Sequence, residues 1–467
     1  MKVPGDDEPQ EVWRMYKNVI VTGVAFMVHF TAFQSAADLQ SSINAEAGLG
    51  TLSLAGMYVG LIVSSILLPA AMMKWFGTKW AMCICFISYM PYMAAQLWPS
   101  FYSMVPTGFI LGLGGGILWC AICVYVAAIA EAYSKIHKIS LEVIFPRFLC
   151  IFFVFYNLSE VSGNLVSSLV LSSDDNEAAV TSLNASQIPE LCGANFLPSA
   201  DAHKALLHQP PEKIQMLVGI YIACMIGAVI VLAVGVDPMD RYKTKESKTT
   251  TTSGLALLTV TVKLLAEPNQ LLLIAMSMFV GMQNVFFSAS ISAAFVSCSI
   301  GTGTVGYVMM AHGIADVFGS ASTAYLVKIV KRVVLISTAA AIYLILFIFL
   351  LVWRPQANSD YVLYIVSTLW GYSNSTFLIQ VNAYHGILFP DKKEAAFANF
   401  RLWKAIGYVI AYVTSHYMRV SHKIYMLLAL YIVGLLGYYV TEYRESVRKS
   451  LEKRKESLNG CVNIGFK

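Results

Sequence analysis

The sequence predicts an all-α membrane protein whose twelve transmembrane helices form two bundles of six. Three features lead there. Twelve apolar stretches approach or exceed the ~20 residues that a helix needs to cross hydrocarbon. They fall six and six on either side of a polar, Thr-rich connector, residues 237–269, which has no apolar run long enough to span. The chain is 57% hydrophobic and 13% charged, against about 25% charged in soluble domains, so its composition suits contact with lipid.

In order, the first six stretches cover roughly 18–36, 52–73, 81–97, 104–132, 144–172 and 213–236. The second six cover roughly 270–298, 302–326, 333–352, 360–388, 395–418 and 423–441. These boundaries define an N-terminal bundle, 18–236, with one large outer loop at 173–212, and a C-terminal bundle, 270–441. The runs are continuous rather than alternating, which excludes a β-barrel. Residues 1–17 are polar and do not resemble a cleaved leader, so the first span is expected to stay as an anchor.

Of the 32 Lys and Arg residues, 26 lie in or at the ends of alternate connectors beginning with the N-terminus. The other set holds 5, and Lys404 falls within a span. Positive charge is retained on the cytoplasmic side. Residues 1–17, the linker 237–269 and the basic tail 442–467 are therefore expected inside. The tail carries basic residues of the kind that attract anionic lipid, although Glu445, Glu452 and Glu456 dilute them, and ordinary positive-inside charge is the favoured reading.

The loop 173–212 then faces outward. It carries Asn184-Ala-Ser186, a glycosylation acceptor pattern. Six of the nine cysteines fall within spans as small apolar residues, and Cys461 is cytosolic. Cys192 and Cys298 face the oxidising side, and a disulfide between them is expected to tie the loop to the second bundle.

Several segments carry a family resemblance. They are Leu39-Gln-Ser-Ser-Ile43, Gly48-Leu-Gly50, Pro69 with Gly77-Thr-Lys79, Leu111-Gly-Leu-Gly with Leu118-Trp119, Gly163-Asn-Leu-Val-Ser-Ser168, and Glu394-Ala-Ala-Phe-Ala-Asn-Phe-Arg-Leu-Trp403. In this order, over nearly the whole chain, they resemble the UNC-93-like family, a branch of the major facilitator superfamily. The resemblance implies that superfamily's fold and an accessory or regulatory role. One branch of the family associates with potassium channels and another escorts receptors through endomembranes. The superfamily's turn between spans two and three survives here as Lys74-Trp-Phe-Gly77-Thr-Lys79 without an acidic partner. That departure puts in doubt the inner-gate ion pair that many transporters of the superfamily use.

Polar residues inside spans are costly and mark candidate sites. Asn157, Glu160 and Asn164 share a face of span five at 3.6 residues per turn. His312 and Asp316 share a face of span eight. Asn374, Asn382 and His385 form a stripe on span ten, Gln283 and Asn284 sit in span seven, and Arg401, Lys404, Tyr408 and Tyr412 stripe span eleven. Two readings are open: these side chains line a polar cavity between the bundles, or they make interhelical hydrogen bonds. The neutral amides favour the second. The carboxylates favour the first, because an isolated buried carboxylate protonates. Asp316 is expected to pair with a cation of span eleven or to titrate with His312.

Gly108, Gly112 and Gly116 recur every four residues, a spacing that lets helices approach closely. The strand-then-helix context of a phosphate loop is lacking. Trp75, Trp80, Trp98 and Trp353 read as interface anchors, and Trp119 as core packing or cavity wall. The sequence shows no nucleophile–base constellation, no HxxxH or HExxH array and no basic stripe with interleaved aromatics. Enzyme activity, a cofactor, a bound metal and a nucleic-acid partner are therefore not expected. Three functions remain: a potassium-channel accessory protein, a secondary transporter of a small solute or ion, and a trafficking escort. The expected partners are the lipid bilayer together with a channel subunit or a small solute. The expected location is the plasma membrane, with endosomal membranes as the alternative.

Overall fold

The computed structural model describes residues 8–44, 48–139, 141–171, 188–197, 211–242, 263–264, 266–326, 329–356, 360–389 and 393–464. The first half contains α1 (Glu8–Ile43), α2 (Leu49–Ala95), α3 (Phe101–His137), α4 (Leu141–Leu171) and α5 (Pro211–Gly235). The second contains α6 (Pro268–Val285), α7 (Val305–Leu326), α8 (Arg332–Val352), α9 (Asp360–Leu388), α10 (Lys393–Tyr417) and α11 (Val420–Ile464). No strand occurs among the described residues. Helix α6 runs on through a wide π-helical stretch, Phe286–Ser297, and one more turn, Cys298–Ile300.

Residues 52–73 and 81–97 were expected as separate spans. They belong to one helical run, broken only at Gly77, where φ is 73° and ψ 162°. A side chain rarely adopts that φ, so glycine is what permits the chain to reverse within a single residue. With the two arms of α2 counted separately, the described chain has six long rods in each half.

Seven helices, α1, α3, α4, α5, α6, α8 and α11, contain stretches long and apolar enough to cross a membrane by length and composition. Helices α7, α9 and α10 do not. They carry His312, Asp316, Asn374, His385, Arg401 and Lys404, which lower their mean hydropathy. In α2, Leu49–Ser65 is apolar but shorter than those seven.

Helices α2 and α3 pack along the glycine ladder. A Cβ on Gly112 would collide with the main-chain carbonyl of Met57, and one on Gly116 with Ser64 Oγ. Close approach here depends on the absence of side chains. Trp119 joins an aromatic cluster with Phe26, Phe30 and Tyr156 at centroid distances of 5.0–6.2 Å, which places it in core packing.

At the end of the molecule that holds the start of α1, residues 236–242 fold back on the first helix. Asn18 Nδ2 donates to Asp237 Oδ2 at 3.0 Å and to Tyr242 Oη at 2.7 Å, while Asn18 Oδ1 accepts from the Asp237 amide at 3.1 Å. Tyr125 Oη donates to the Asp237 carbonyl at 2.8 Å. Burial alone raises the Asp237 pKa, but the Asn18 hydrogen bond and the Lys17 ammonium, 3.5 Å away, outweigh it and hold the carboxyl below its usual range. A depressed folded-state pKa stabilises above the unfolded value and loses that contribution as pH falls through the folded one. Asp237→Asn is therefore expected to lower stability by about 1 kcal/mol at neutral pH. The difference from wild type should close below about pH 4, as checked by melting curves across pH.

At the opposite end, the short segment Ile188–Phe196, from the loop of the first half, lies against the second half. Cys192 and Cys298 form a disulfide with a Cα–Cα distance of 5.7 Å. The amide of Val420 donates to the Phe196 carbonyl at 3.1 Å, and Gly193 packs on Pro355 and Phe295. Cys298→Ser is expected to cost about 2–4 kcal/mol and to release this strap to limited proteolysis; cleavage within 188–197 in the variant but not the wild type is the readout.

Candidate functional site: a buried polar seam between the bundles

The halves meet where α4 packs on α7, α2 on α10 and α1 on the π-helical stretch of α6. Small residues set the spacing. A Cβ on Gly306 of α7 would strike Ser168 Oγ and the Asn164 carbonyl of α4, and one on Gly313 would press on the Glu160 carboxyl. Between these close approaches, polar side chains from both halves connect.

His312 Nδ1 donates to Glu160 Oε1 at 2.9 Å across the seam, and both side chains are mostly buried, with 6% and 18% exposure. The His312 ring stacks on Phe287 at 4.3 Å, which fixes its plane. One turn further along α4, Asn164 Nδ2 donates to Asp38 Oδ2 of α1 at 3.0 Å. On the other side of His312, Asp316 Oδ1 accepts from Asn374 Nδ2 at 3.1 Å, and Asn374 Oδ1 accepts from Gln283 Nε2 at 2.7 Å. Gln283 Oε1 in turn accepts from Tyr343 Oη at 3.0 Å and Trp370 Nε1 at 2.8 Å. The seam thus contains three carboxylates, Asp38, Glu160 and Asp316, with His312 between two of them.

A second contact closes the seam beside it. Tyr58 of α2 stacks on Tyr408 of α10 at 4.1 Å and lies 5.8 Å from Tyr412. Asn284 Nδ2 donates to Tyr408 Oη at 3.0 Å, and Lys404 Nζ lies 5.6 Å from the Tyr408 ring, within cation–π range.

The structure therefore groups Glu160, Asn164 and His312 with Asp38 in one hydrogen-bonded set and Asp316, Asn374 and Gln283 in a second, with Asn284 and Lys404 beside Tyr408. Asn157 is partly buried two turns before Asn164. Three expectations are corrected. Asp316 hydrogen-bonds Asn374 rather than a cation of α10, while Lys404 lies over the Tyr408 ring and His312 Nδ1 is bonded to Glu160. Arg401 is exposed, with Nη2 3.8 Å from Cys123 Sγ of α3. The stripe on α9 divides: His385 is fully buried 3.5 Å from Ser277 Oγ, and Asn382 is exposed. His385 shares a face with Asn374, but eleven residues at 1.5 Å each separate them by about 16 Å. Asn184 lies outside the described residues.

Sequence reasoning missed Asp38, His29 and Lys423. Asp38 falls two residues past the apolar run, so it was assigned to a connector, whereas α1 continues to Ile43. His29 stacks on Phe86 at 4.0 Å. Lys423 is buried where Nζ donates to the Ser415 carbonyl at 2.6 Å and to Ser290 Oγ at 3.3 Å. Its position beside the turn at 419–422 resembled ordinary flanking charge.

Among the described residues, no three His, Cys, Asp or Glu side chains converge to hold a metal ion. Two helical halves with a hydrogen-bonded seam between them define a multi-pass membrane protein of the major facilitator type. The nucleoside transporter NupG superposes with a TM-score of 0.61, covering 90% of this chain and 98% of that one at 12% identity. The inward-open xylose transporter XylE from E. coli gives 0.57, covering 91% and 94% at 14% identity. Such distant identities establish the fold alone.

The chain belongs to the UNC-93 family. The family's sequence model, described as "Ion channel regulatory protein UNC-93", matches residues 40–439. Protein unc-93 homolog A of Danio rerio is 34% identical over 439 residues, covering 92% of each chain. The Homo sapiens protein of that name is 32% identical, covering 93% of this chain and 94% of the other. A Caenorhabditis elegans relative named "Putative potassium channel regulatory protein unc-93" is 26% identical, and the match covers 93% of this chain but 62% of the relative.

Proposed function

We propose that this protein is an accessory regulator of potassium conductance, residing in the plasma membrane with both termini in the cytoplasm. The observation that carries this reading is membership of a family described by ion-channel regulation over residues 40–439, with a potassium channel regulator named among its relatives. The bundles are joined by a small set of hydrogen-bonded contacts, which a shift between two arrangements would break or make. A channel subunit that contacts one arrangement preferentially would be regulated by that equilibrium.

A second reading is transport of a small solute through the seam, favoured by the buried Glu160–His312 contact between the halves. Co-expression with two-pore or other potassium channels, recorded beside a proteoliposome uptake screen, separates the two. Regulation predicts altered current without solute flux. Saturable uptake that collapses in Asp316→Asn, with current unaffected, overturns the first reading. Restored surface abundance of a client channel with unchanged current per channel would instead indicate an escort. Glycosidase treatment with Asn184→Gln as control tests whether residues 173–212 face outward.

A further inference from the structure

Asp38 places a carboxyl group in the seam with, among the described residues, no cation within ion-pair distance, since His312 is directed to Glu160. A lone charge in a bilayer-spanning region is costly and calls for a counter-charge. The Asn164 amide beside it is fully buried, and its N–H groups are committed to Asp38 and to the Glu160 carbonyl, each at 3.0 Å. The other end of that amide, Asn164 Oδ1, has no donor, and neither does Ser168 Oγ one turn along the same face. Both residues are at most 1% exposed. Ser167 Oγ donates to the Asn164 carbonyl at 2.9 Å, so its proton is not free for either. Gly306 of α7 closes over these oxygens, where any side chain would strike Ser168 Oγ.

We propose that Asp38, Asn164 and Ser168 form a binding site for a monovalent alkali cation at the junction of α1, α4 and α7. The argument is one of donor count. A proton on Asp38 would supply a single donor and leave the neighbouring lone pairs unmet. A hard cation satisfies several oxygens at once. One carboxylate with neutral oxygen donors matches a single positive charge, and no three-ligand acidic or imidazole cluster suited to a divalent ion occurs among the described residues. All three ligand residues belong to the first half, and Gly306 of the second covers Ser168 Oγ, so the cation would be enclosed where the halves meet. This gives the proposed regulator a ligand for its conformational equilibrium, and it rests on that reading only for its consequence, not for its chemistry.

The test uses the purified full-length protein alone, with no channel present. Binding of radiolabelled sodium and of rubidium, as a potassium tracer, is measured by scintillation proximity at constant ionic strength with choline chloride. Saturable binding of either tracer, displaced by unlabelled alkali chloride but not by choline, is expected. Asp38→Asn should abolish it, and Ser168→Ala should weaken it about tenfold. Absence of saturable binding by the wild-type protein overturns the proposal whatever the variants do, as does displacement by choline or unchanged binding in a folded Asp38→Asn. Failure here leaves the current recordings to stand or fall separately, and a negative current result leaves the binding isotherm intact.

Discussion

Gln283→Leu is expected to destabilise the protein by about 3 kcal/mol. Leucine keeps most of the volume but orphans three buried partners: the Tyr343 hydroxyl, the Trp370 indole N–H and Asn374 Oδ1. Each unsatisfied buried group costs about 1–3 kcal/mol. The membrane-embedded unfolded state finds other partners and reduces the net to about 0.6 kcal/mol for a typical interhelical bond. Three bonds on one side chain, two of them to fully buried aromatics, exceed that average. The effect should propagate, since Asn374 also holds Asp316. Ser337→Ala is the control, because the Ser337–Tyr439 bond is exposed and should contribute within about 0.5 kcal/mol. Equal melting temperatures for the two variants would refute this account.

His312→Leu is expected to cost about 3–5 kcal/mol, because it removes the hydrogen-bond partner of the Glu160 carboxyl in the seam. The second substitution should recover part of the loss: Glu160→Gln on the His312→Leu background removes the orphaned carboxyl. A double-mutant cycle on thermal unfolding measures the coupling. Because this pair joins the halves, the single variant should also increase modification of cysteines introduced along the α4–α7 contact. Additive losses with unchanged labelling would reduce Glu160 and His312 to independent packing residues.

The rods were legible because a lipid-crossing helix writes itself as an apolar run of characteristic length. The close packing of α2 on α3 was legible because three glycines at four-residue spacing describe one helix face. Periodicity also brought Glu160 and Asn164 onto one stripe. It could not say what the stripe touches, since partners such as His312 and Glu160 lie 152 positions apart and meet only through tertiary packing. Asp38 was lost for a different reason: hydrogen bonding carries α1 beyond its apolar run, so the end of the run is not the end of the helix. His385 shows the converse error, in which shared azimuth was taken for shared depth. The partner of Asp316 was not legible either, because Asn374 lies 58 positions away and meets it only through tertiary packing.

The strap at residues 188–196 has a mechanical consequence. It is encoded in the first half yet bonded to the second, through the disulfide to Cys298 and the hydrogen bond from Val420. Those two bonds make the peptide a passenger of the second half. Proteolysis on both sides of it would leave a short fragment that co-migrates with the C-terminal half on a gel and departs when thiol is added.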